Sequence, residues 1–278
     1  MKNKNLLSET LEKYWKNYAN FVHSSREKIS SKNIHKFRIA TLKLEAVLGL
    51  VNTLKDIKHA NRITDLLNKI RKNLGPLRDS QVESSLLDDI MDKKSKDKDS
   101  KSLIKFFNQD KQHAKKKAQK ALENIQLKQE KSIVDEVSKA ILEVEVAKNK
   151  KQIKNELDQK MKSSVLKYNF ILSKIDPAQV KDIHNFRIFA KKLRYRAECL
   201  QSLEKKSRFS LKTLKKVQSV AGQIQDDTVL LKKLNQFRSL GKKNEHIHLE
   251  KTYNKIGNHR DKLIKKDFSQ LQSLKWLN

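Results

Sequence analysis

Residues 183–200 read IHNFRIFAKKLRYRAECL, and residues 34–44 read IHKFRIATLKL, a shortened copy of the same pattern. The two stretches share the string I-H-x-F-R-I at an offset of 149 residues. A shared string of this length is rare by chance and indicates an internal repeat, which is best recognised before anything else is inferred. We therefore predict two related halves, each built around one copy of the motif.

A second pair of stretches repeats at nearly the same offset. Residues 70–82 read IRKNLGPLRDSQV, and residues 217–230 read VQSVAGQIQDDTVL, at an offset of 147. Glycine commonly ends a helix and aspartate commonly caps the next one. The sequence therefore predicts that a helix ends at each of the aligned glycines, Gly75 and Gly222. It also predicts that the next helix is capped by the aligned aspartates, Asp79 and Asp226. Each half is predicted as a helix, a hairpin, a helix, a glycine-containing turn and a helix.

The composition indicates an all-α fold. Only 5 Gly and 2 Pro occur in 278 residues, whereas strand-rich folds need many tight turns that contain them. Apolar residues recur at helical spacing between about residues 103 and 148. We place a domain boundary near residue 150, which divides the chain into 1–150 and 151–278.

Local signals predict where the motif helices begin. Ser30, Ser31 and Asn33 are candidate caps of the first motif helix, and Asp176–Pro177 has the residue types that open the second. The run KKSKDKDSK, Lys93–Lys101, has no apolar period and is predicted to be a solvated loop.

The charge of the chain predicts a polyanionic partner. Lys and Arg number 63 against 32 acids, so the formal net charge is +31, and self-repulsion on this scale favours neutralisation by a binding partner. Nucleic acid, inorganic polyphosphate and an anionic membrane surface are the candidates. A general bias of the composition toward lysine is the alternative explanation of the charge, but it does not explain the repeated motif.

The single cysteine, Cys199, rules out an intrachain disulfide and agrees with a reducing compartment. The first residues, MKNKNLLSETLEKYWKNY, lack the apolar region of a signal peptide. No window approaches the roughly 18 consecutive apolar residues of a membrane-spanning helix. We therefore expect a cytoplasmic protein.

The second motif carries a cationic row beside an apolar face. At 3.6 residues per turn, one side of the helix holds His184, Arg187, Lys191, Arg194 and Tyr195. The adjacent side holds the predicted core residues Phe186, Phe189, Leu193, Ala197 and Leu200. The cationic row is about 15 Å long, which suits an extended polyanion better than a compact phosphate. Of the 11 arginines in the chain, three lie between residues 187 and 196, which supports a dedicated site.

The first motif is weaker than the second. His35, Arg38 and Lys43 repeat His184, Arg187 and Lys192, but Leu42 replaces Lys191 and Glu45 replaces Arg194. We therefore expect the second half to bind more strongly. The alternative is that each motif is an ordinary amphipathic helix with a solvated charged face and a buried histidine.

No catalytic, cofactor or metal site is predicted. The sequence has no Walker loop, no nucleophile elbow and no zinc-ligand spacing. His246 and His248 have no further ligand-like neighbours, and Cys199 is interpreted as a packing residue.

At these residues the chain resembles a CHAD domain, the conserved histidine α-helical domain. That family carries a helix with H-x-x-R-x-x-x-[RK]-[RK]-x-R twice, each followed by an L-G-x-x-R-D-like turn. The second motif fits this pattern in full. The first fits in part, and the second turn has Gln225 in place of the arginine. The resemblance implies two pseudo-symmetric four-helix bundles whose basic faces surround a central cavity.

The resemblance also implies a ligand. Members of the family bind inorganic polyphosphate, and some accompany polyphosphate granules, so we expect non-enzymatic polyphosphate binding without a cofactor. A basic helical protein that binds duplex DNA or RNA is the alternative. The candidate polyphosphate-binding residues are His35, Arg38, Lys43, Lys69, Arg78, His184, Arg187, Lys191, Lys192, Arg194, Tyr195 and Lys216.

Overall fold

The structure is a computed structural model that describes residues 6–90, 98–204, 211–240 and 247–273. Within these ranges the regular structure is helical and no strand occurs, so the all-α prediction is confirmed. The first half contains α1 (Leu6–Glu27), α2 (Ser31–Leu54), α3 (Lys58–Ile90), α4 (Lys98–Glu123) and α5 (Leu127–Ala147). The second half contains α6 (Lys150–Lys174), α7 (Val180–Glu204), α8 (Leu211–Leu240) and α9 (Ile247–Lys262), which continues through a π-helical turn, Leu263–Phe268, into α10 (Ser269–Ser273).

The two motif helices, α2 and α7, lie at the centre of the molecule and pack against each other. Each also packs against the helix that follows it, so that α2–α3 and α7–α8 are corresponding pairs. One apolar core runs through both pairs, and it includes Phe37, Leu44 and Phe186. This arrangement is compatible with an internal duplication. The division at residue 150 stays a prediction, although α6 begins there with a capping box between Asn149 and Gln152.

The predicted helix ends at Gly75–Pro76 and Gly222 are wrong, because α3 and α8 run through them without a break. The apolar period continues across each glycine and keeps both helices packed on the core. In α3 the buried residues on this face are Ile63, Leu67, Ile70, Leu74 and Leu77. Burial of this face outweighs the cost of one interior proline, which is about 3 kcal/mol. Asp79 and Asp226 are consequently mid-helix residues and cap nothing.

The helix starts were predicted with mixed success. Ser30 is the N-cap of α2 and its side chain accepts a hydrogen bond from the Asn33 amide at 3.1 Å, as predicted. Asp176 instead accepts from the Ala178 amide at 2.9 Å in a turn, and α7 begins later, at Val180. The predicted loop Lys93–Lys101 is wrong for its last four residues, which belong to α4; residues 93–97 lie outside the described ranges.

A buried ion cluster joins α8 of the second half to α3 and α4 of the first half. Lys233 of α8 lies 2.6 Å from Glu83 of α3 and 3.0 Å from Asp110 of α4. Its ammonium also lies 4.7 Å from the centroid of the Phe107 ring. The side chains of Lys233 and Glu83 are only 11% and 8% exposed, so each charge depends on the other for solvation.

In the part of the chain that the structure describes, no helix is both long and apolar enough to span a membrane.

Candidate functional site

A cavity of about 430 Å³ opens between the two halves, where α2 and α3 face α7 and α8. We call it the central groove. Its lining contains four acids, Glu45, Asp79, Glu83 and Asp226, and a larger number of cationic groups. The cations are Arg38, Arg71, Lys72, Arg187, Lys191 and Lys192, with His184 beside them. The groove is therefore a mixed but predominantly basic site that both halves build.

The two motif arginines occupy equivalent places in the groove. A methyl group at Gly75 would lie 3.9 Å from Arg38 Nη1, and one at Gly222 would lie 3.7 Å from Arg187 Nε. A methyl group at either glycine would make only ordinary van der Waals contact, so the two distances show that each guanidinium lies beside the neighbouring helix at the aligned position. Arg38 Nη1 donates to the carbonyl oxygen of Arg71 at 2.8 Å. Arg187 Nε is buried and has no hydrogen-bond partner among the described residues.

Lys191 lies among arginines from three helices. Burial is the largest cause that lowers its pKa to about 7, followed in importance by Arg187, Arg38, Arg71 and Arg194. Near neutral pH the amine is therefore divided between the neutral and the charged form. An anion that enters the groove would favour the charged form, because it replaces lost hydration and offsets the neighbouring positive charge.

The acids of the groove face the motif arginines. Burial raises the pKa of Asp79, and Arg38 and Arg187 oppose this effect. Burial likewise raises the pKa of Asp226, which interacts favourably with Arg187 and unfavourably with Asp79. Among the described residues no group of three or more potential metal ligands occurs. Because guanidinium groups occupy their surroundings, we interpret these carboxylates as counter-charges that keep the arginines in place.

The two motif histidines differ in their surroundings. His184 lines the groove, and its Nδ1 lies 2.7 Å from Gln225 Oε1, which makes Nδ1 the donor and leaves Nε2 available. Gln225 aligns with Arg78 of the first half, which instead donates to Ser31 Oγ at 3.3 Å. His35 is exposed, and its pKa is lowered by partial burial and then by Arg78, Lys191 and Arg38. The equivalent positions are thus used differently in the two halves.

The structure brings only part of the predicted set together. Of the twelve candidates, the groove is lined by Arg38, His184, Arg187, Lys191 and Lys192. His35 and Arg78 act on this region electrostatically. The others do not line it: Lys43 is partly buried, Lys69 and Lys216 are exposed, and Arg194 and Tyr195 are largely inside the protein.

The predicted cationic row therefore ends at Lys191 and Lys192. The guanidinium carbon of Arg194 lies 4.3 Å from the Tyr195 ring centroid, and Arg194 Nη1 lies 3.4 Å from Glu198. The Tyr195 residue is 4% exposed. These contacts lie within α7, and neither Arg194 nor Tyr195 lines the groove.

Several groove residues on α3 and α8 were not predicted from the sequence, above all Arg71 and Lys72. The signal was present, because Arg71, Gly75, Asp79 and Val82 share one face of an uninterrupted helix at spacings of three and four. The break that we predicted at Gly75 removed this relation. Cys199, by contrast, is buried as expected, and burial raises its thiol pKa to about 12. The pair His246 and His248 lies outside the residues whose side chains are described.

Comparisons with known proteins identify the family and the fold of the chain. The CHAD domain family matches residues 6–235, more than half of the 278 residues. The crystal structure of the CHAD domain from the plant Ricinus communis resembles the chain with a TM-score of 0.67 at 16% sequence identity. The match covers 99% of this chain and 92% of that one, which shows a common fold. No curated protein matches the sequence. The family match establishes that the chain belongs to the CHAD domain family.

Proposed function

We propose that this protein binds inorganic polyphosphate in the central groove and does not catalyse its turnover. The observation that carries the proposal is the convergence of Arg38, Arg71, Arg187 and Lys191 from three helices in one cavity between the halves. Arginine offers planar pairs of donors that match phosphate oxygens. A chain of phosphates presents such oxygens at regular intervals, so one ligand can contact cations of both halves at once.

The groove suits a single extended chain better than a duplex. The packed motif helices leave a narrow cavity, whereas a double helix would have to remain on the outer surface and contact scattered lysines. Among the described residues no Phe, Tyr or Trp lines the groove, so this part of it lacks the stacking platforms typical of sites for single-stranded nucleic acid. We further propose the cytoplasm as the compartment, with polyphosphate granules as a place of association.

We expect affinity to depend on both salt and chain length. Phosphate contacts release condensed counter-ions, so binding of a polyphosphate chain should weaken steeply when salt is raised from about 50 to 200 mM. Isothermal titration with orthophosphate, tripolyphosphate and longer polyphosphate should give affinities that rise in this order. Equal affinity for orthophosphate and tripolyphosphate would contradict the extended groove.

Two further measurements separate the alternatives. In competition, polyphosphate should displace a fluorescent duplex DNA at a lower phosphate concentration than unlabelled duplex does; the reverse order would favour nucleic-acid binding.

Incubation of the protein and polyphosphate with Mg²⁺ or Mn²⁺ should release no phosphate above a protein-free control. Phosphate release that is lost in the Arg187→Gln variant would show that the groove is an active site.

Polyphosphate affinity should also fall as pH rises above about 7. The Lys191 pKa is about 7 in the free protein, so below this value the cation is already present, and above it ligand binding must be coupled to proton uptake. Between pH 7 and 9 we expect a decrease on the order of tenfold for one proton. Fluorescence titrations across this range check the effect. Lys191→Met should flatten the profile, while Lys192→Met, which also removes one groove lysine, should weaken binding but keep the slope.

A further inference from the structure

A second cavity lies beside the central groove. Its volume is about 720 Å³, and α2, α3, α6 and α7 line it. Half of its lining residues are neutral and polar, with Asn52, Asn61, Gln159 and Ser163 among them, and most of the others are charged. We call it the polar cavity. Two residues line both this cavity and the central groove: Glu45 and Lys192.

Glu45 is held at the boundary from two sides. Its Oε2 accepts a hydrogen bond from Arg71 Nη2 of α3, and its Oε1 lies 3.5 Å from Lys192 Nζ of α7. The Glu45 side chain is only 13% exposed. A carboxylate that two cations hold in this way is a fixed negative charge between the cavities, and it uses contacts that a phosphate could otherwise make.

The polar cavity itself carries groups that suit a phosphate chain. Lys160, Lys192 and Arg196 line it, opposed by Glu45 and Glu156. The Arg196 guanidinium packs so closely on α2 that a methyl group at Gly49 would lie 2.9 Å from its Nη2. The amides and hydroxyls add neutral donors that can hydrogen-bond phosphate oxygens. Beyond Glu45, therefore, a second set of anion-compatible groups begins.

We propose that the polar cavity is a second polyphosphate subsite and that Glu45 closes it off from the central groove. This inference rests on the proposed function. In the native protein the groove accepts a chain end or a short stretch of chain, and repulsion by Glu45 keeps the chain from continuing to Lys160 and Arg196. Glu45 thereby limits the length of chain that contributes to affinity.

The second motif helix offers a control residue for Glu45. The position equivalent to Glu45 is Arg194, and its partner Glu198 lines neither cavity. Glu198 is thus a matched control, because it is also an ion-paired glutamate on a motif helix, with a side chain 23% exposed. Replacement of either residue by glutamine removes one negative charge, but only Glu45→Gln removes it between the cavities.

The test compares Glu45→Gln and Glu198→Gln for binding of tripolyphosphate and of long polyphosphate. We expect Glu45→Gln to tighten long-chain binding on the order of fivefold and tripolyphosphate binding by less, because Arg71 and the polar cavity become available. Glu198→Gln should change both affinities by the same smaller factor. Equal effects of the two variants would overturn the barrier, whereas absence of any polyphosphate binding by the unmodified protein would instead overturn the proposed function.

A double-mutant cycle with Lys160→Gln locates the effect in the polar cavity. Lys160 lines the polar cavity and not the central groove, so its replacement should leave long-chain affinity unchanged in the native background and reduce it about threefold in the Glu45→Gln background. A loss in the native background would show that the chain already passes Glu45, and would refute the proposal even if Glu45→Gln does not fold. Additive effects in the folded double variant would refute it as well.

Discussion

Replacement of Arg187 by glutamate should weaken polyphosphate binding about a hundredfold, because truncation of a buried charged contact costs roughly 2–5 kcal/mol and reversal adds repulsion. Arg187 lines the central groove, its Nε has no protein partner among the described residues, and it interacts with Asp79, Asp226 and Lys191. The new carboxylate would stand beside two existing ones. Titration of the variant with tripolyphosphate and long polyphosphate at one salt concentration measures the loss.

Arg62 provides the matched control for this experiment. It is an exposed arginine of α3 that does not line the groove, and Arg62→Glu changes the net charge by the same amount. We expect a loss of no more than about threefold for Arg62→Glu, the scale of a screened surface charge. Similar losses of affinity in both variants would mean that polyphosphate is attracted by the overall net charge of +31 and not by the groove arginines. The Arg187→Gln variant removes the contact without adding a negative charge. An unfolding temperature close to that of the native protein would show that its loss of affinity comes from the lost contact and not from a damaged fold.

The motif residues that could be predicted are those whose role follows from a single helix. Spacing alone separated the core residues Phe186 and Leu193 from the groove residues His184, Arg187 and Lys191, since one helical period fixes both faces. Glu198 lies four residues after Arg194 on the same helix, so this ion pair could have been predicted from spacing. The burial of Tyr195, against which the Arg194 guanidinium packs, depends on tertiary contacts and could not. The cationic row was therefore predicted longer than it is.

The errors at Gly75, Pro76 and Gly222 have a common physical origin. Glycine and proline weaken an isolated helix by about 1 and 3 kcal/mol, which makes a helix end the reasonable prediction. In the folded chain the buried apolar faces of α3 and α8 override this preference. The burial of these faces depends on neighbouring helices and could be predicted only after the pairs α2–α3 and α7–α8 were known.

The unequal halves illustrate how sequence differences become functional differences. Leu42 and Glu45 are visible departures from the second motif, and they predict a weaker first half. The structure shows that Glu45 does more than reduce positive charge, since it engages Arg71 and Lys192 at the edge of the groove. The first half contributes Arg71 and Lys72 from α3 as well as Arg38 from α2, and the two α3 residues were not among the twelve candidates.

Replacement of Lys233 by methionine should destabilise the protein by about 3–5 kcal/mol near neutral pH, because it leaves a buried carboxylate without its partner. Lys233 lies 2.6 Å from Glu83 and joins α8 to α3 and α4. Burial already raises the pKa of Glu83, and Lys233 opposes that effect, so its removal should raise this pKa further. Chemical denaturation at several pH values measures the change in the free energy of unfolding.

The sign of the pH dependence distinguishes a stranded charge from lost packing. A carboxyl group whose pKa is raised in the folded state costs stability that grows as the pH rises from the unfolded pKa to the folded pKa, and costs none where it is protonated in both states. The deficit of Lys233→Met should therefore shrink as the pH falls toward 5, whereas a pure packing defect would not change with pH.

Glu83→Gln in the same chain should recover part of the deficit at neutral pH. Lys232→Met, at the exposed neighbouring position, should alter stability by less than about 0.5 kcal/mol, and a loss equal to that of Lys233→Met would assign the effect to α8 itself.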